Sequence, residues 1–204
     1  MKLILASASP RRAQILRDAG LRFEIVKINV SESRKPGESA RAMTRRLALA
    51  KARAAVARLS RHRSETIVIG ADTTISVKGN IFGKPQSPAA ARKMLTKVSG
   101  RTHRVTTSVA AIRLPHHAER IATETTRVRF APLTTAEIRE YVSTGEPLDK
   151  AGAYGVQGIG GRYVEKIEGC YFNVVGLPLA RIYRLLINLG WKPAATQTQS
   201  RAAG

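Results

Sequence analysis

Two carboxylates in this chain have the type and position needed to hold a metal ion or to activate water. Asp72 follows the apolar run 67–70, and Glu32 lies in the polar loop after a second predicted strand. Ligands of α/β proteins gather at the carboxyl ends of strands, so both side chains can reach one crevice. Two carboxylates, with water and substrate phosphates completing the shell, form a usual magnesium site. Each also has an ordinary alternative: a turn aspartate bonded to local amides, and a solvated loop glutamate.

Hydroxyl and basic residues near the start of the chain indicate a site for an anion. Ser7 and Ser9 follow a short apolar strand, and Ser9 is placed to accept hydrogen bonds from the free amides of a helix that Pro10 opens. Arg11 and Arg12 add positive charge to the positive end of that helix dipole, which a bound phosphate would stabilise. A capped surface helix with two solvated arginines is the alternative from this segment alone.

Three further segments offer polar groups to a ligand. Lys84 lies in a stiff Gly-Lys-Pro loop that can aim it, whereas Lys51 has the helical spacing of a surface lysine. The segment 148–158 is rich in glycine and contains Lys150 and Gln157. A glutamine side chain carries both a donor and an acceptor, which suits the edge of a base. The alternative is a plain connection, although loops of this length tend to be functional or disordered.

Hydrophobic periodicity and turn residues predict the elements that must position these groups. The mixture of βα units with a central antiparallel pair indicates an α/β fold with a mixed sheet. Helices are predicted over about 10–19, 39–59, 88–100, 134–143 and 178–190, and strands over about 2–6, 22–29, 66–70, 102–114, 119–130, 162–168 and 171–176, with a hairpin at 74–82 and an ordered loop at 145–161.

A length of 204 residues suits one large domain or two small ones, and 43% hydrophobic with 24% charged residues is typical of a globular protein. We expect a single domain over 1–192, with two lobes around a cleft, and a disordered tail over 193–204. The apolar runs are shorter than the roughly 20 residues that span a bilayer, and the first residues are too short for a signal peptide. The single cysteine, Cys170, excludes an internal disulfide and a thiolate zinc cluster. These features predict a cytoplasmic protein without membrane association.

A formal net charge of +21 raises the possibility of nucleic-acid binding through phosphate contacts. The basic residues are scattered, however, and aromatic residues make up only 5% of the chain, so stacking platforms are scarce. An arginine-rich surface that attracts small anions is the favoured interpretation, and nucleic acid is not the expected partner. The sequence lacks a P-loop and a dinucleotide fingerprint. All four histidines are expected at the surface: His62, His103, His116 and His117.

Taken together, these segments resemble the Maf family of nucleoside triphosphate pyrophosphatases. The matches occur in the family's order over roughly residues 3–186. The matching stretches are Leu5-Ala6-Ser7-Ala8-Ser9-Pro10-Arg11-Arg12, Ala48-Leu49-Ala50-Lys51-Ala52, Gly70-Ala71-Asp72-Thr73, Gly83-Lys84-Pro85, Ser99-Gly100-Arg101-Thr102-His103, the segment 148–158 and Val175-Gly176-Leu177-Pro178.

The resemblance implies an elongated mixed sheet flanked by helices, with a deep central cleft, related to the inosine triphosphatase-like enzymes and often found as a homodimer. It implies metal-dependent hydrolysis of a nucleoside triphosphate to the monophosphate and pyrophosphate. By the same resemblance Asp72 is the proton acceptor, and Arg11, Thr73 and Gln157 bear on substrate specificity. The chain departs from the family at Ser31, where many relatives have an aspartate, and at Phe82.

The segment 149–158 looks like that of the branch acting on dTTP and UTP. We therefore expect a dTTP/UTP pyrophosphatase in which Asp72 and Glu32 hold Mg²⁺ or Mn²⁺. Two alternatives stay open: a pyrophosphatase for 7-methyl-GTP or another modified nucleotide, and a basic nucleic-acid-binding module without catalysis. The expected substrate contacts are Ser7, Arg11, Arg12, Lys51, Thr73, Lys84, Lys150 and Gln157.

Overall fold

A computed structural model describes residues 1–59 and 65–193 of the chain. His62 and the predicted tail from residue 194 onward lie outside the described residues. The strands are β1 (Lys2–Ala6), β2 (Glu24–Ile25), β3 (Thr66–Val77), β4 (Asn80–Phe82), β5 (Thr102–Leu114), β6 (Ala118–Phe130) and β7 (Val164–Glu168). The helices are α1 (Pro10–Asp18), α2 (Ala40–Arg58), α3 (Pro88–Val98), α4 (Thr135–Ser143), α5 (Tyr171–Val175) and α6 (Leu179–Asn188), with short 3₁₀ helices at Glu146–Asp149, Ala151–Ala153 and Ile159–Tyr163.

The strands form one mixed sheet in the order β2-β1-β3-β5-β6-β7, with β4 paired to the far end of β3. β1 runs parallel to β2 and β3, whereas the other pairs are antiparallel. The α/β fold with a mixed sheet is therefore confirmed. None of the helices in the described ranges is long and apolar enough to cross a bilayer.

The two faces of β3 pack against different helices, because successive side chains of a strand point to opposite sides. Ile67, Ile69 and Ala71 belong to a core shared with α1 and α6. Val68 belongs to a second core formed with the alanine face of α2. The other end of the sheet packs against α3 and α4, around residues such as Phe130.

The central strand β3 is longer than predicted, and this changes the place of Asp72. The sequence suggested a strand over 66–70, a break, and then a hairpin from residue 74. Instead, residues 71–73 continue the antiparallel pairing with β5, and Asp72 lies opposite Ser108. The hairpin between β3 and β4 is confirmed. Asp72 is thus a strand residue and not a turn residue, because the polar stretch of β3 is paired across the sheet.

One predicted strand is much shorter in the structure, and another is wrong. The segment 22–29 contributes only Glu24–Ile25, which pairs with β1 at the sheet edge and leaves both residues exposed. The segment 171–176 forms the short helix α5. There the side chain of Asn173 donates to the Val105 carbonyl (2.9 Å) and to Thr126 Oγ1 (2.9 Å), so tertiary contacts override the β preference of its apolar neighbours.

His103 is buried, contrary to the prediction that it lies at the surface, whereas His116 and His117 are exposed in the β5–β6 turn. Its Nε2 lies 2.7 Å from the Tyr154 hydroxyl, and both rings pack against Phe130. Strand alternation turns His103 inward toward the core formed with α3 and α4. Burial lowers the pKa of His103 to about 4, so the ring is neutral in the folded protein at pH 7.

This buried histidine predicts a loss of stability in mild acid. The unfolded chain binds a proton at His103 near pH 6.5, whereas the folded protein does so near pH 4, so stability falls as the pH drops between these values. Between pH 7 and pH 5 the group should remove about 2 kcal/mol of unfolding free energy. Urea unfolding at the two pH values measures this. The dependence should be weaker in His103→Gln and unchanged in the exposed-site control His116→Gln; equal slopes for wild type and His103→Gln would contradict it.

Candidate active site

A cleft of about 1020 Å³ opens at the point where β1 ends. The last pair between β1 and β3 is Ala6 with Gly70, so the chain leaves the sheet into α1 while β3 continues. This departure uncovers the middle of β3 next to the amino end of α1. Ligands of open sheets bind at such places, where a strand end and a helix start face the same crevice.

The centre of the cleft holds two carboxylates joined by one ammonium group. Lys51 Nζ donates to Asp72 Oδ1 (2.7 Å) and to Glu32 Oε1 (2.6 Å). Asp72 and Lys51 are buried, whereas Glu32 lies in an exposed loop. The two carboxylates expected to share a crevice are therefore brought together, and Lys51, whose spacing indicated a surface position, lies between them.

The close packing of α2 on β3 explains the burial of Lys51. A Cβ on Gly70 would lie 2.7 Å from the Ala52 amide nitrogen, so only glycine lets the helix approach this closely. Ala48, Ala52 and Ala55 line the contact as small side chains. Lys51, the neighbour of Ala52 in α2, is buried by this contact, and its ammonium reaches Asp72, which follows Gly70 on the same face of β3.

The two carboxylates differ in acidity. Burial raises the pKa of Asp72, although the charges of Lys51 and Arg12 oppose the rise. Burial acts in the same direction on Glu32, but the hydrogen bond and charge of Lys51 outweigh it and the pKa of Glu32 is lowered. Asp72 is thus the stronger base of the two. A carboxylate of raised pKa, held next to an opening for water, suits proton abstraction.

On the opposite face of β3, Arg12 occupies a cage of protein acceptors. Its guanidinium donates to the carbonyls of Gly176 (2.8 Å) and Ala71 (2.9 Å), to Thr73 Oγ1 (3.0 Å) and to Ser7 Oγ (3.3 Å). The prediction that Arg12 needs a bound anion to offset the helix dipole is wrong, because these four protein acceptors stabilise its charge. Arg12 still lines the cleft and adds positive potential to it.

The predicted cap of α1 is also corrected. Within the described part of the chain the Ser9 side chain does not cap the helix; the Ser9 amide donates instead to Ser7 Oγ (3.2 Å). Ser7 is therefore a buried structural acceptor for both Ser9 and Arg12. The first turn of α1 lines the cleft through Pro10, Arg11 and Arg12, and the amino end of a helix favours a bound anion.

The remaining predicted residues line the rim of the same cleft. Arg11 forms an ion pair with Asp149 Oδ2 (3.0 Å), which in turn bonds Lys150 Nζ through Oδ1 (2.6 Å). This ion pair ties the start of α1 to the glycine-rich loop. Lys84 and Gln157 are exposed, each on a loop at the cleft edge.

The donor set fits a divalent cation that shares its shell with a substrate. Asp72 and Glu32 offer carboxylate oxygens within reach of one point, the Lys51 ammonium. In residues 1–59 and 65–193, groups of three or more His, Cys, Asp or Glu side chains suited to a metal are absent. Mg²⁺ is commonly held by one or two carboxylates with water and phosphate oxygens, which matches this pair.

Comparison with known proteins places the chain in a family. A family model described as "Maf-like protein" matches residues 2–189. The chain is 50% identical to a dTTP/UTP pyrophosphatase of Moorella thermoacetica over 93% of its length and 95% of the relative's. It is 46% identical to a dTTP/UTP pyrophosphatase of Escherichia coli O157:H7 over 91% and 92%. A solved structure, the Staphylococcus aureus Ham1 protein, matches with a TM-score of 0.47 and 16% identity over 80% of each chain. The chain belongs to the Maf family.

Proposed function

We propose that this protein hydrolyses dTTP and UTP to the monophosphate and pyrophosphate. The observation that carries the proposal is the Asp72–Lys51–Glu32 group, in which Asp72 and Lys51 are buried, inside a basic cleft. Two relatives that match nearly the whole chain bear the name of this activity. A net charge of +21 favours the approach of a triphosphate, which is strongly anionic. A cytoplasmic location, which rests on the sequence composition, and a homodimer, which rests on the family resemblance, are part of the proposal.

In the proposed reaction, Asp72 accepts a proton from a water molecule whose oxygen attacks the α-phosphorus. The bond between the α-phosphorus and the oxygen bridging to the β-phosphorus breaks, and pyrophosphate leaves. Lys51 and Lys84 stabilise negative charge on the phosphates. Arg12, on the other face of β3, adds to the positive electrostatic potential of the cleft. Ser7 acts by holding Arg12 in place. Arg11 and Lys150 fix the position of the loop that carries Gln157.

We further propose that Asp72 and Glu32 hold Mg²⁺ or Mn²⁺ when substrate binds. Such an ion offsets triphosphate charge and lowers the pKa of bound water. Asp72 and Glu32 would hold the ion, and Lys51, which donates to both carboxylates in the structure, would be available to donate to phosphate oxygens of the substrate. Chelation of the metal should therefore abolish turnover while the fold persists.

Base recognition gives the test of this proposal. Gln157 presents one acceptor and two donors, which match the carbonyl–imide edge of thymine and uracil. Cytosine presents an amino group and a ring acceptor, so the same geometry leaves polar groups unpaired. We expect dTTP and UTP to be favoured over dCTP and CTP by roughly ten- to hundred-fold in kcat/KM. Pyrophosphate release from these nucleotides and from 7-methyl-GTP measures the preference.

The variant Gln157→Glu should reduce this preference, because a carboxylate cannot donate to a carbonyl oxygen. Gln14→Glu is the matched control, since Gln14 is exposed on α1 away from the cleft lining. A wild-type enzyme that favours 7-methyl-GTP would overturn the base assignment and leave the pyrophosphatase assignment intact. Failure to release pyrophosphate from any of these nucleotides would overturn both.

A further inference from the structure

A carboxylate that the proposed chemistry does not use, Glu146, binds the glycine-rich loop that carries Gln157. Glu146 Oε2 accepts the Ile159 amide (2.8 Å), and Oε1 accepts the Gly160 amide (3.1 Å). Oε1 also accepts the hydroxyl of Tyr141 (2.8 Å), which is fully buried on α4. Glu146 therefore accepts two hydrogen bonds from the backbone of residues 159 and 160 and a third from Tyr141.

The near side of the loop is bound through the same pair. The Gly155 amide donates to the Tyr141 hydroxyl (3.2 Å), so Gln157 lies between two anchored positions, Gly155 and Ile159. The hydroxyl donates to Glu146 while it accepts from Gly155, which fixes its orientation. We call Glu146 and Tyr141 the loop clasp.

Contact with the loop clasp explains two glycines of this loop, Gly158 and Gly160. A Cβ on Gly158 would lie 2.5 Å from Glu146 Oε2, and a Cβ on Gly160 would overlap the Tyr141 hydroxyl. The backbone must therefore run directly against these two side chains. The charge state supports the contact: burial alone would raise the pKa of Glu146, but its hydrogen bonds from Tyr141, Gly160 and Ile159 outweigh burial and lower it. Glu146 thus remains an acceptor for all three donors at neutral pH.

We propose that Glu146 and Tyr141 are positioning residues that set base selectivity, by holding the segment between Gly155 and Gly160 so that Gln157 faces the base. This inference rests on the proposed function. Neither residue contacts the Asp72–Lys51–Glu32 group in the hydrogen bonds and ion pairs of the described residues. Loss of the loop clasp should therefore impair recognition of the base and leave phosphate binding intact.

Glu146→Gln and Tyr141→Phe test this directly. A glutamine has one acceptor oxygen and presents an amino group to at least one donor, and phenylalanine keeps the ring but lacks the hydroxyl. We expect KM for the preferred nucleotide to rise about tenfold with kcat little changed, and the preference over dCTP to fall by a similar factor. The inhibition constant of inorganic tripolyphosphate, which has no base, should stay at its wild-type value.

Glu140→Gln is the matched control. Glu140 is the neighbour of Tyr141 on α4, is exposed, and forms an ion pair with Arg162, which is not part of the loop clasp. A folded Glu146→Gln or Tyr141→Phe protein with wild-type base preference would overturn the inference. A parallel rise in KM and in the tripolyphosphate inhibition constant would also overturn it, since the whole cleft would then be disturbed. The variants are compared with the wild type on the nucleotide that the wild type prefers. An error in the base assignment would appear in the wild-type measurements and would not affect this comparison.

Discussion

Asp72→Asn is expected to abolish nearly all nucleotide hydrolysis while the protein stays folded. Asparagine has the size of aspartate but cannot take a proton from water, and loss of a general base costs about 10²–10⁴ in rate. The change also removes one carboxylate from the proposed metal shell. The fold should persist because burial already disfavours the charge of Asp72, and Lys51 keeps its bond to Glu32 (2.6 Å). Pyrophosphate release from dTTP and thermal unfolding measure the two effects.

Asp18→Asn provides the matched control for this result. Asp18 is an exposed aspartate at the end of α1 that bonds Gln14 and lies outside the cleft lining. Its rate should equal that of the wild type. Turnover of dTTP by Asp72→Asn within a few-fold of the control would show that Asp72 is not the base.

Arg12→Ala is expected to lower both the free energy of unfolding and the rate of nucleotide hydrolysis. The guanidinium connects α1 to β3 and to the turn after α5 through four acceptors, among them the carbonyls of Ala71 and Gly176. Removing a buried donor leaves its acceptors unsatisfied at about 1–3 kcal/mol each, with water entry from the cleft offsetting part of this. We expect the free energy of unfolding to fall by about 3 kcal/mol in denaturant titrations.

Lys84→Ala separates the two roles of positive charge in the cleft. Lys84 is exposed on the loop before α3, so its truncation should leave the unfolding free energy within about 0.5 kcal/mol of wild type. Its proposed bond to phosphate contributes roughly 1.5–3 kcal/mol, so KM for dTTP should rise. Equal stability of Arg12→Ala and Lys84→Ala would contradict the cage described for Arg12.

The elements of the fold were largely predictable because local patterns agree with the tertiary structure. Apolar periodicity predicted α2, and the predicted start of α4 at residue 134 agrees with the capping box that Thr134 and Glu137 form in the structure. The errors arose where contacts distant in sequence decide the outcome. The residues of α5 have the composition of a strand, yet the buried hydrogen bonds of Asn173 hold them as a helix.

The sequence predicted the positions of the carboxylates of the candidate site better than those of its lysine and arginine side chains. Asp72 and Glu32 followed from strand ends and loop position, but helical spacing could not show that Lys51 is buried, since that depends on the close approach of α2 at Gly70. Glu146 was missed because a lone glutamate before a proline gives no signal. The glycines at 155, 158 and 160 carried that information, as they mark a backbone pressed against other groups.

Asp72 and Thr73 lie on opposite faces of β3, so the site depends on the exact number of residues in this strand. Asp72 meets Lys51 from α2, whereas its neighbour Thr73 meets Arg12 from α1. Inserting or deleting one residue between Gly70 and Asp72 would exchange the two sides and bring the carboxylate to the arginine cage. A change of length by a single residue would therefore separate Asp72 from Lys51, whereas a substitution elsewhere in this strand leaves each side chain on its own face.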